Sequence, residues 1–321
     1  MVCGTNPAEP RTVLSAPVTD SSELADVLYL ALPSSEAAPD LPDYVQAVAR
    51  QILFVEKGLL LSRERSRLQE LDAELRQARA IQMGLAPKPG CAVAGIDLAF
   101  HYEPAAWVGG DYCDYWGLPD GRLALAIGDV CGKGLPAAMV MSSLHTALRM
   151  STAGGLSVTD TMRRVDEHLS RHVPQGRFVT MLLGALDSQT GELEYVNAGH
   201  PQPLLIACAG TVSAVGCPRN LPLGLGAAGF VGEGLRLERG GTLVAVTDGI
   251  TEAASDKELF GTDRLTALLQ GKQDRSPEEI VRGVAAAAAD FRQGLPQHDD
   301  VTILAVRYLG AAAPRESDHA S

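Results

Sequence analysis

The sequence of 321 residues lacks several features that would assign it to a specialised class. It has no run of 18 apolar residues, and the best candidate, residues 51–61, is interrupted by Glu56 and Lys57, so no transmembrane helix is expected. The N-terminus lacks the pattern of a secretory signal. The six cysteines form no C-x-x-C pair, and none lies beside a histidine at the spacing of zinc ligands. We therefore expect reduced thiols and a soluble, cytoplasmic protein without a membrane partner.

Positive charge is scarce as well. The chain has 27 lysines and arginines against 39 aspartates and glutamates, which gives a formal net charge of -12. A nucleic-acid-binding protein needs a basic face to neutralise phosphates, so nucleic acid is not expected as a partner. Hydrophobic residues make up 46% and charged residues 21% of the chain, which is ordinary globular usage and excludes wholesale disorder.

The distribution of proline and apolar residues predicts four segments. Residues 1–42 are rich in Pro, Ser, Ala and Asp, which is typical of a flexible leader, here with one short helix around Glu23–Leu30. Residues 43–86 contain no proline and predict a long regulatory helix. Residues 87–309 form the main domain, and residues 310–321 are expected to be a disordered tail.

The apolar residues of the predicted long helix follow the 3-4 spacing of a coiled-coil seam. They fall in two different frames, Val45–Leu59 and Leu68–Ala78, which meet at a polar break around residues 62–66. An amphipathic helix of this length has to bury its apolar stripe. It could pair with a second copy, as a homodimer through residues 43–86, or pack on its own domain.

The main domain alternates between strand-like runs and helical stretches, which favours an α+β sandwich over a doubly wound parallel sheet. Turn sequences such as Asp187–Gly191 place several of the strands in hairpins. The predicted strands are 96–102, 122–127, 178–186, 191–196, 242–246 and 301–308, and the predicted helices are 135–151, 158–172 and 277–292.

Acidic residues stand at strand ends beside a glycine or a tight turn. They are Asp111, Asp129, Asp248, and Asp299 with Asp300. A single Asp-Gly is most often a hairpin turn. Several carboxylates that converge would repel one another unless a divalent cation neutralises them, and Mg²⁺ and Mn²⁺ prefer oxygen ligands. A two-metal site of this kind can activate a water and clamp a phosphoryl oxygen.

The motifs around these aspartates resemble the SpoIIE/RsbU-like serine phosphatases, the bacterial branch of the metal-dependent PP2C-type (PPM) protein phosphatases. The resemblance extends over about residues 75–309, in order and without large gaps. It rests on the sequences at 78–87, 108–115, 118–139, 195–204, 221–224, 247–253 and 299–302.

The resemblance implies an αββα sandwich with two Mg²⁺ or Mn²⁺ ions at one edge. Asp129 matches the aspartate that bridges both ions, and the carbonyl of Val130 matches the backbone ligand beside it. Asp111, Asp248 and Asp299 match the remaining carboxylates, with Asp299 favoured over Asp300. The implied activity is a protein serine/threonine phosphatase in which Asp129 and Asp111 act through a metal-activated water. The implied substrate is a phosphorylated anti-anti-sigma (STAS) protein in a partner-switching pathway, with an upstream sensor or activator as a further partner.

The sequence departs from the family pattern at two points. Cys131 stands where this branch usually has serine, and the arginine that holds phosphate in larger PP2C enzymes has no evident counterpart. Lys133 is a candidate for a phosphate contact, although a solvated loop lysine is the simpler interpretation. Asp114 matches a recurrent acidic position of the family motif and is interpreted as a structural residue or one outside the direct metal ligands. His200 is interpreted as structural, because a metal-activated water needs no histidine as a base near neutral pH.

An alternative function of a different class is a non-catalytic pseudophosphatase scaffold that uses the same surface for binding. The retention of all four carboxylate positions argues against it. A nucleotide cyclase, suggested by residues 109–112, leaves the aspartates further along the chain unexplained.

Overall fold

The structure is a computed structural model that describes residues 11–18, 27–36, 38–87, 93–173, 176–216, 219–226, 229–256 and 258–311. The chain divides into two compact units, residues 1–74 and residues 75–321. Helix α1 (Leu41–Met83) contributes residues to both units. The sequence analysis placed the domain boundary after residue 86. The structure moves it into the helix, because Gln82 is buried in the second unit and Leu85 packs against the core of that unit.

The first unit begins with a β-hairpin. Strands β1 (Arg11–Pro17) and β2 (Val27–Pro33) pair antiparallel along their whole length. Ala16 packs with Val45 and Ala49 from the first turns of α1, and these side chains form a small buried cluster. The hairpin therefore obtains from the helix the apolar support that an isolated two-stranded sheet lacks.

The predictions for residues 1–42 are wrong in their described part. Residues 27–33 form a strand, where a short helix around Glu23–Leu30 was expected, and β1 and β2 replace much of the expected flexible leader. Leucine and alanine favour a helix locally, but strand pairing and burial against another element override such a propensity. Residues 19–26, and residues 312–321 of the predicted tail, lie outside the described residues.

Helix α1 confirms the long helix that the absence of proline predicted. Large apolar side chains along it are exposed, and they include Phe54 at 75%, Leu61 at 72% and Leu71 at 51% of their surface. The coiled-coil pairing of this helix stays a prediction. Within the described part of the chain, no helix combines the length and apolar character needed to cross a membrane.

The second unit contains two five-stranded sheets that face each other. The first sheet has the order β10 (Glu233–Arg236), β7 (Glu192–Ala198), β6 (Val179–Leu186), β5 (Leu123–Val130) and β4 (Tyr112–Gly117). The second has the order β3 (Ile96–Glu103), β12 (Val301–Tyr308), β11 (Thr242–Val246), β8 (Leu204–Ile206) and β9 (Val212–Ala214). All pairings within the two sheets are antiparallel.

Helices cover the outer faces of both sheets. The first sheet carries α2 (Leu135–Ala153) and α3 (Val158–His172), and the second carries α5 (Gly261–Leu269) and α6 (Pro277–Phe291). A short helix, α4 (Asp248–Thr251), follows β11. The space between the two sheets is filled by a separate apolar core, in which Leu123, Ile127 and Leu186 of the first sheet pack with Leu304 of the second.

The four layers confirm the predicted αββα sandwich. The bounds of α3, β11 and β12 are those predicted, and α6 begins with a capping box of Ser276 and Glu279. The strand analysis missed β4 and the short strands β8, β9 and β10, because short or fully buried strands show little alternation.

Candidate metal centre

Antiparallel pairing brings the acidic strand ends together. In the first sheet, β4 and β5 form a hairpin in which Tyr112 pairs with Gly128, so Asp111 lies beside the end of β5 that carries Asp129. In the second sheet, Val246 at the end of β11 pairs with Ile303 of β12, which places Asp248 beside Asp299. The two strand pairs end at the same edge of the sandwich, since the hydroxyls of Thr247 and Thr302 donate hydrogen bonds to Asp111. Asp129 also interacts electrostatically with both Asp248 and Asp299.

Asp111 is the most deeply placed of these residues, with 3% of its surface exposed. Its Oδ2 accepts hydrogen bonds from the hydroxyl of Thr247, at 2.8 Å, and from the hydroxyl of Thr302, at 2.5 Å. Burial and the nearby Asp129 carboxylate raise the pKa of Asp111 well above its usual value. Thr302 lies in β12 and Thr247 directly follows β11, so Asp111 joins the edges of both sheets.

The carboxylates repel one another in the protein without metal. Burial, followed by the charges of Asp248 and Asp299, raises the pKa of Asp129 to about 7. Burial and the Asp299 carboxylate also raise the pKa of Asp248. Repulsion of this kind is relieved by a proton or by a cation, so the edge of the sandwich is a site that favours positive charge.

Asp299 and Asp300 have different roles in the structure. The buried Asp300 carboxylate accepts backbone N–H hydrogen bonds from Ala105 at 2.8 Å, Gly110 at 2.6 Å and Asp111 at 3.3 Å. It therefore anchors the loop that precedes Asp111. The Asp299 side chain is 36% exposed and forms an ion pair with Lys133 at 2.9 Å. Its other oxygen accepts a single backbone N–H, that of Asp300 at 2.9 Å, so Asp299 is the more accessible of the two to a cation.

Gly249 allows the two strand ends of the second sheet to approach each other. A Cβ atom at this position would lie 1.9 Å from the carbonyl oxygen of Asp300. Any side chain would push α4 away from residues 299–300, and Asp248 would move with it. The glycine after Asp248 is thus required by a close backbone contact, as well as being a common turn residue.

The donor set fits a hard divalent cation. It consists of carboxylate oxygens at the ends of four segments, and burial together with mutual repulsion raises the pKa values of Asp111, Asp129 and Asp248. Among the described residues, no three or more His, Cys, Asp or Glu side chains converge closely enough to hold a metal ion together. Mg²⁺ usually binds through one or two carboxylates and keeps several waters. The individual ligand assignments, including the Val130 carbonyl, stay predictions.

The loop after β5 holds the remaining predicted site residues. Lys133 pairs with Asp299 and also donates to the carbonyl of His298, and the hydrogen bond to Asp299 raises the pKa of Lys133. Cys131 is half-buried with a free thiol, and its backbone N–H donates to the carbonyl of Phe178 at 2.9 Å. Lys133 is thus held by an acidic residue of the site itself.

Asp114 and His200 are placed as structural residues. The fully buried Asp114 carboxylate accepts from both Nε and Nη2 of Arg149, at 2.9 and 3.0 Å, and links β4 to α2. His200 is 2% exposed, and burial lowers its pKa to about 3, so it is neutral near pH 7. The side chain of Asn197 bonds to both the N–H and the C=O of His200 and closes the turn after β7.

The sequence analysis missed Gln82, near the end of α1. This side chain is 5% exposed, donates to the carbonyl of Gly109 at 2.6 Å and accepts from the N–H of Gly109 at 3.1 Å. Gly109 lies two residues before Asp111, so the last turn of α1 holds the backbone of the site. A polar residue on an otherwise apolar helix face was the only signal in the sequence.

Comparison with solved structures supports a PP2C-like fold. The SiaA PP2C domain of Pseudomonas aeruginosa is similar over 76% of this chain and 98% of its own, with a TM-score of 0.67 and 21% identity. The RsbU and RsbW domains of a Mycobacterium tuberculosis protein are 35% identical, cover 69% of this chain and 62% of their own, and have a TM-score of 0.61.

The family is shown by sequence. The family described as Stage II sporulation protein E (SpoIIE) matches residues 119–309, more than half of the chain. The chain belongs to the SpoIIE family, the class that the motifs around Asp129 had suggested.

Curated relatives agree with this family. Protein IcfG of Synechocystis is 29% identical over 73% of this chain and 41% of its own length. Phosphoserine phosphatase RsbU of Bacillus subtilis is 24% identical over 74% of this chain and 71% of its own length. The chain thus spans less than half the length of IcfG and about 70% of RsbU.

Proposed function

We propose that this protein is a Mg²⁺- or Mn²⁺-dependent protein phosphatase that hydrolyses phosphoserine or phosphothreonine. The observation that carries the proposal is the meeting of Asp111, Asp129, Asp248 and Asp299 at one edge of a PP2C-like sandwich. A relative that bears the name phosphoserine phosphatase supports the same reaction class.

The residues of the chain have distinct tasks in this proposal. Asp129 interacts with the carboxylates of Asp111, Asp248 and Asp299, and these four residues would hold the ions. When bound, divalent ions supply the positive charge that acidifies a water and stabilises the charge on a phosphoryl group. Thr247 and Thr302 hold Asp111 in one orientation, and Asp300 holds the preceding loop.

We propose a phosphorylated STAS-domain protein in a partner-switching pathway as the substrate. The proposal follows from membership of the SpoIIE family and from the similarity to RsbU. An upstream sensor or activator is the further partner, and the cytoplasm is the proposed location. The input would reach the site through α1, whose last turn binds the backbone of Gly109.

We further propose that the exposed apolar residues of α1 pair two copies of the chain. Phe54, Leu61 and Leu71 would leave a large apolar surface in water on a single chain. A parallel pair of helices would bury this surface, and one input to the paired helices would then regulate both catalytic domains.

The test is the release of phosphate from a phosphoserine peptide by the full chain, with Mn²⁺, with Mg²⁺ and with excess chelator. We expect release that depends on the added metal. A protein that binds a phosphorylated STAS partner but releases no phosphate with either ion would support the pseudophosphatase scaffold instead.

A further inference from the structure

The substrate of the proposed reaction carries negative charge into an acidic site. A phosphoserine side chain brings close to two negative charges at neutral pH, and the site already contains Asp111, Asp129, Asp248 and Asp299. Lys133, the cationic residue that the sequence suggested for a phosphate contact, is paired with Asp299 at 2.9 Å. A lysine or arginine near the site that has no carboxylate partner is therefore a better candidate for binding the phosphate.

Arg177 is such a cation. It precedes β6, is half-buried, and its Nη1 donates to the carbonyl of Cys131 at 3.2 Å. Cys131 is two residues beyond Asp129. Within the described part of the chain, no carboxylate lies within ion-pair distance of Arg177, although acidic residues outnumber basic ones in the protein.

The backbone that carries Arg177 is held on both sides. On one side, Phe178 accepts the N–H of Cys131 at 2.9 Å. On the other side, Val179 exchanges two backbone hydrogen bonds with Leu223, at 2.8 and 2.9 Å. A charged group on a rigid segment loses little further freedom when it binds a ligand, so this arginine is well prepared for binding.

The loop after β5 is shaped to accept the guanidinium. Gly132 has a φ of +100°, and a Cβ at this position would lie 2.8 Å from Nη1 of Arg177. The glycine thus serves two purposes, a left-handed backbone and a close approach of the arginine. The result is a guanidinium in contact with the loop after β5, at Cys131 and Gly132, two and three residues beyond Asp129.

We propose that Arg177 binds the phosphate group of the substrate. A guanidinium has five N–H donors in a planar fork that matches phosphate oxygens, and one donor to Cys131 leaves the others for a ligand. This inference rests on the proposed phosphatase function and adds a residue that recognises the phosphoryl group. It supplies the phosphate contact for which the sequence offered no arginine.

The test compares Arg177→Gln, Arg177→Lys and the unchanged full chain at saturating Mn²⁺, with a phosphoserine peptide as substrate and inorganic phosphate as competing ligand. We expect Arg177→Gln to raise both the KM for the peptide and the inhibition constant of phosphate by at least about tenfold. Arg177→Lys should restore part of each, because it keeps the charge but loses the fork. The control, Arg171→Gln, removes an exposed arginine of α3 and should change neither constant.

Two further readouts separate phosphate binding from support of the loop. If Arg177 served only to hold the Cys131 carbonyl, Arg177→Gln would raise the Mn²⁺ concentration for half-maximal activity and lower the thermal midpoint, with the phosphate inhibition constant unchanged. That result would overturn the proposal. An active unchanged enzyme whose Arg177→Gln variant keeps KM and the inhibition constant would also overturn it, while the proposed function would stand. An unchanged chain that releases no phosphate with Mn²⁺ would contradict the proposed function, and this inference with it.

Discussion

At the scale of single residues, the clustered carboxylates at the sheet edge lower the stability of the fold, and this is what makes them suited to bind a cation. Burial and mutual repulsion raise the pKa values of Asp111, Asp129 and Asp248 in the protein without metal. A structure tolerates such a cluster at the expense of stability, and a bound cation removes the cost. Substitutions at these positions should therefore separate activity from stability.

The first prediction concerns Asp129→Asn. Removing the charge that interacts with the other carboxylates should lower phosphate release by at least about 100-fold, on the order of 3 kcal/mol of transition-state stabilisation. The variant should still fold, because the repulsion with Asp248 and Asp299 is relieved. Phosphate release and circular dichroism on the same preparation check both parts. A variant with near-normal activity would contradict the two-metal assignment.

The second prediction separates Asp299 from Asp300. Asp300→Asn replaces one of the two oxygens that accept the N–H groups of Ala105, Gly110 and Asp111 by a donor, so unfolding should become easier by about 1–3 kcal/mol. Asp299→Asn should leave stability within about 1 kcal/mol, because its ion pair with Lys133 is partly exposed. It should instead raise the Mn²⁺ concentration needed for activity. Urea unfolding and a Mn²⁺ titration measure the two effects, and the reverse pattern would make Asp300 the ligand.

The third prediction concerns the pH dependence of stability without metal. In the folded protein the pKa of Asp129 is about 7, whereas an aspartate in an unfolded chain titrates near pH 4. Between these values the folded state holds a proton that the unfolded state has lost, so stability should fall as pH rises from about 4 to about 7. Asp129→Asn should flatten the curve. Unfolding in excess chelator at several pH values is the measurement, and equal slopes for both proteins would contradict the assignment.

At the scale of elements, helix α1 and the loop before β4 form a direct link between the linker and the site. The side chain of Gln82 holds Gly109 through two hydrogen bonds, and the guanidinium of Arg76 lies 5.4 Å from the ring centroid of Trp107 in the same loop. A movement of the last turns of α1 would therefore displace the backbone that precedes Asp111.

The fourth prediction tests this link. Gln82→Ala leaves both backbone groups of Gly109 without their partner, so the loop should loosen and activity should fall by about tenfold or more. Gln77→Ala, an exposed glutamine on the same helix, is the matched control and should have no effect. Steady-state kinetics with the phosphoserine peptide measures the difference. Equal activities for the two variants would show that the contact has no functional weight.

At the scale of the whole molecule, the linker carries more exposed apolar surface than a helix in water normally has. Phe54, Leu60, Leu61 and Leu68 are each more than half exposed along α1. A second copy of the helix is the simplest cover for these side chains, because they recur along α1 on both sides of the polar break at residues 62–66.

The fifth prediction is a dimer that depends on this seam. Leu71→Asp together with Leu75→Asp would place two charges per chain in an apolar contact and should give a monomer. Gln69→Asp with Gln77→Asp adds the same charge outside the apolar frames and should leave the dimer intact. Light scattering at micromolar concentration is the measurement. A monomer for the unchanged chain would contradict the dimer, and a dimer whose loss leaves activity unchanged would contradict only its regulatory role.

Local patterns in the sequence determined much of this protein. Helix α1 was predictable from the absence of proline, α6 from its capping box, and the carboxylate set from acidic residues at strand ends. Each of these signals belongs to one continuous segment of the chain, so residue spacing and local chemistry are enough to predict the feature.

Only the tertiary structure decided which residues from distant segments contact one another, and hence which role each of them has at the site. Asp299 and Asp300 are neighbours in sequence, but only the backbone N–H groups of residues 105–111, nearly two hundred residues away, assign one of them to the loop. The roles inferred for Gln82 and Arg177 follow from their hydrogen bonds to the backbone carbonyls of Gly109 and Cys131, respectively. Strand register and sheet packing set these distances, and the physical reason is that such long-range contacts leave no periodic trace in the sequence.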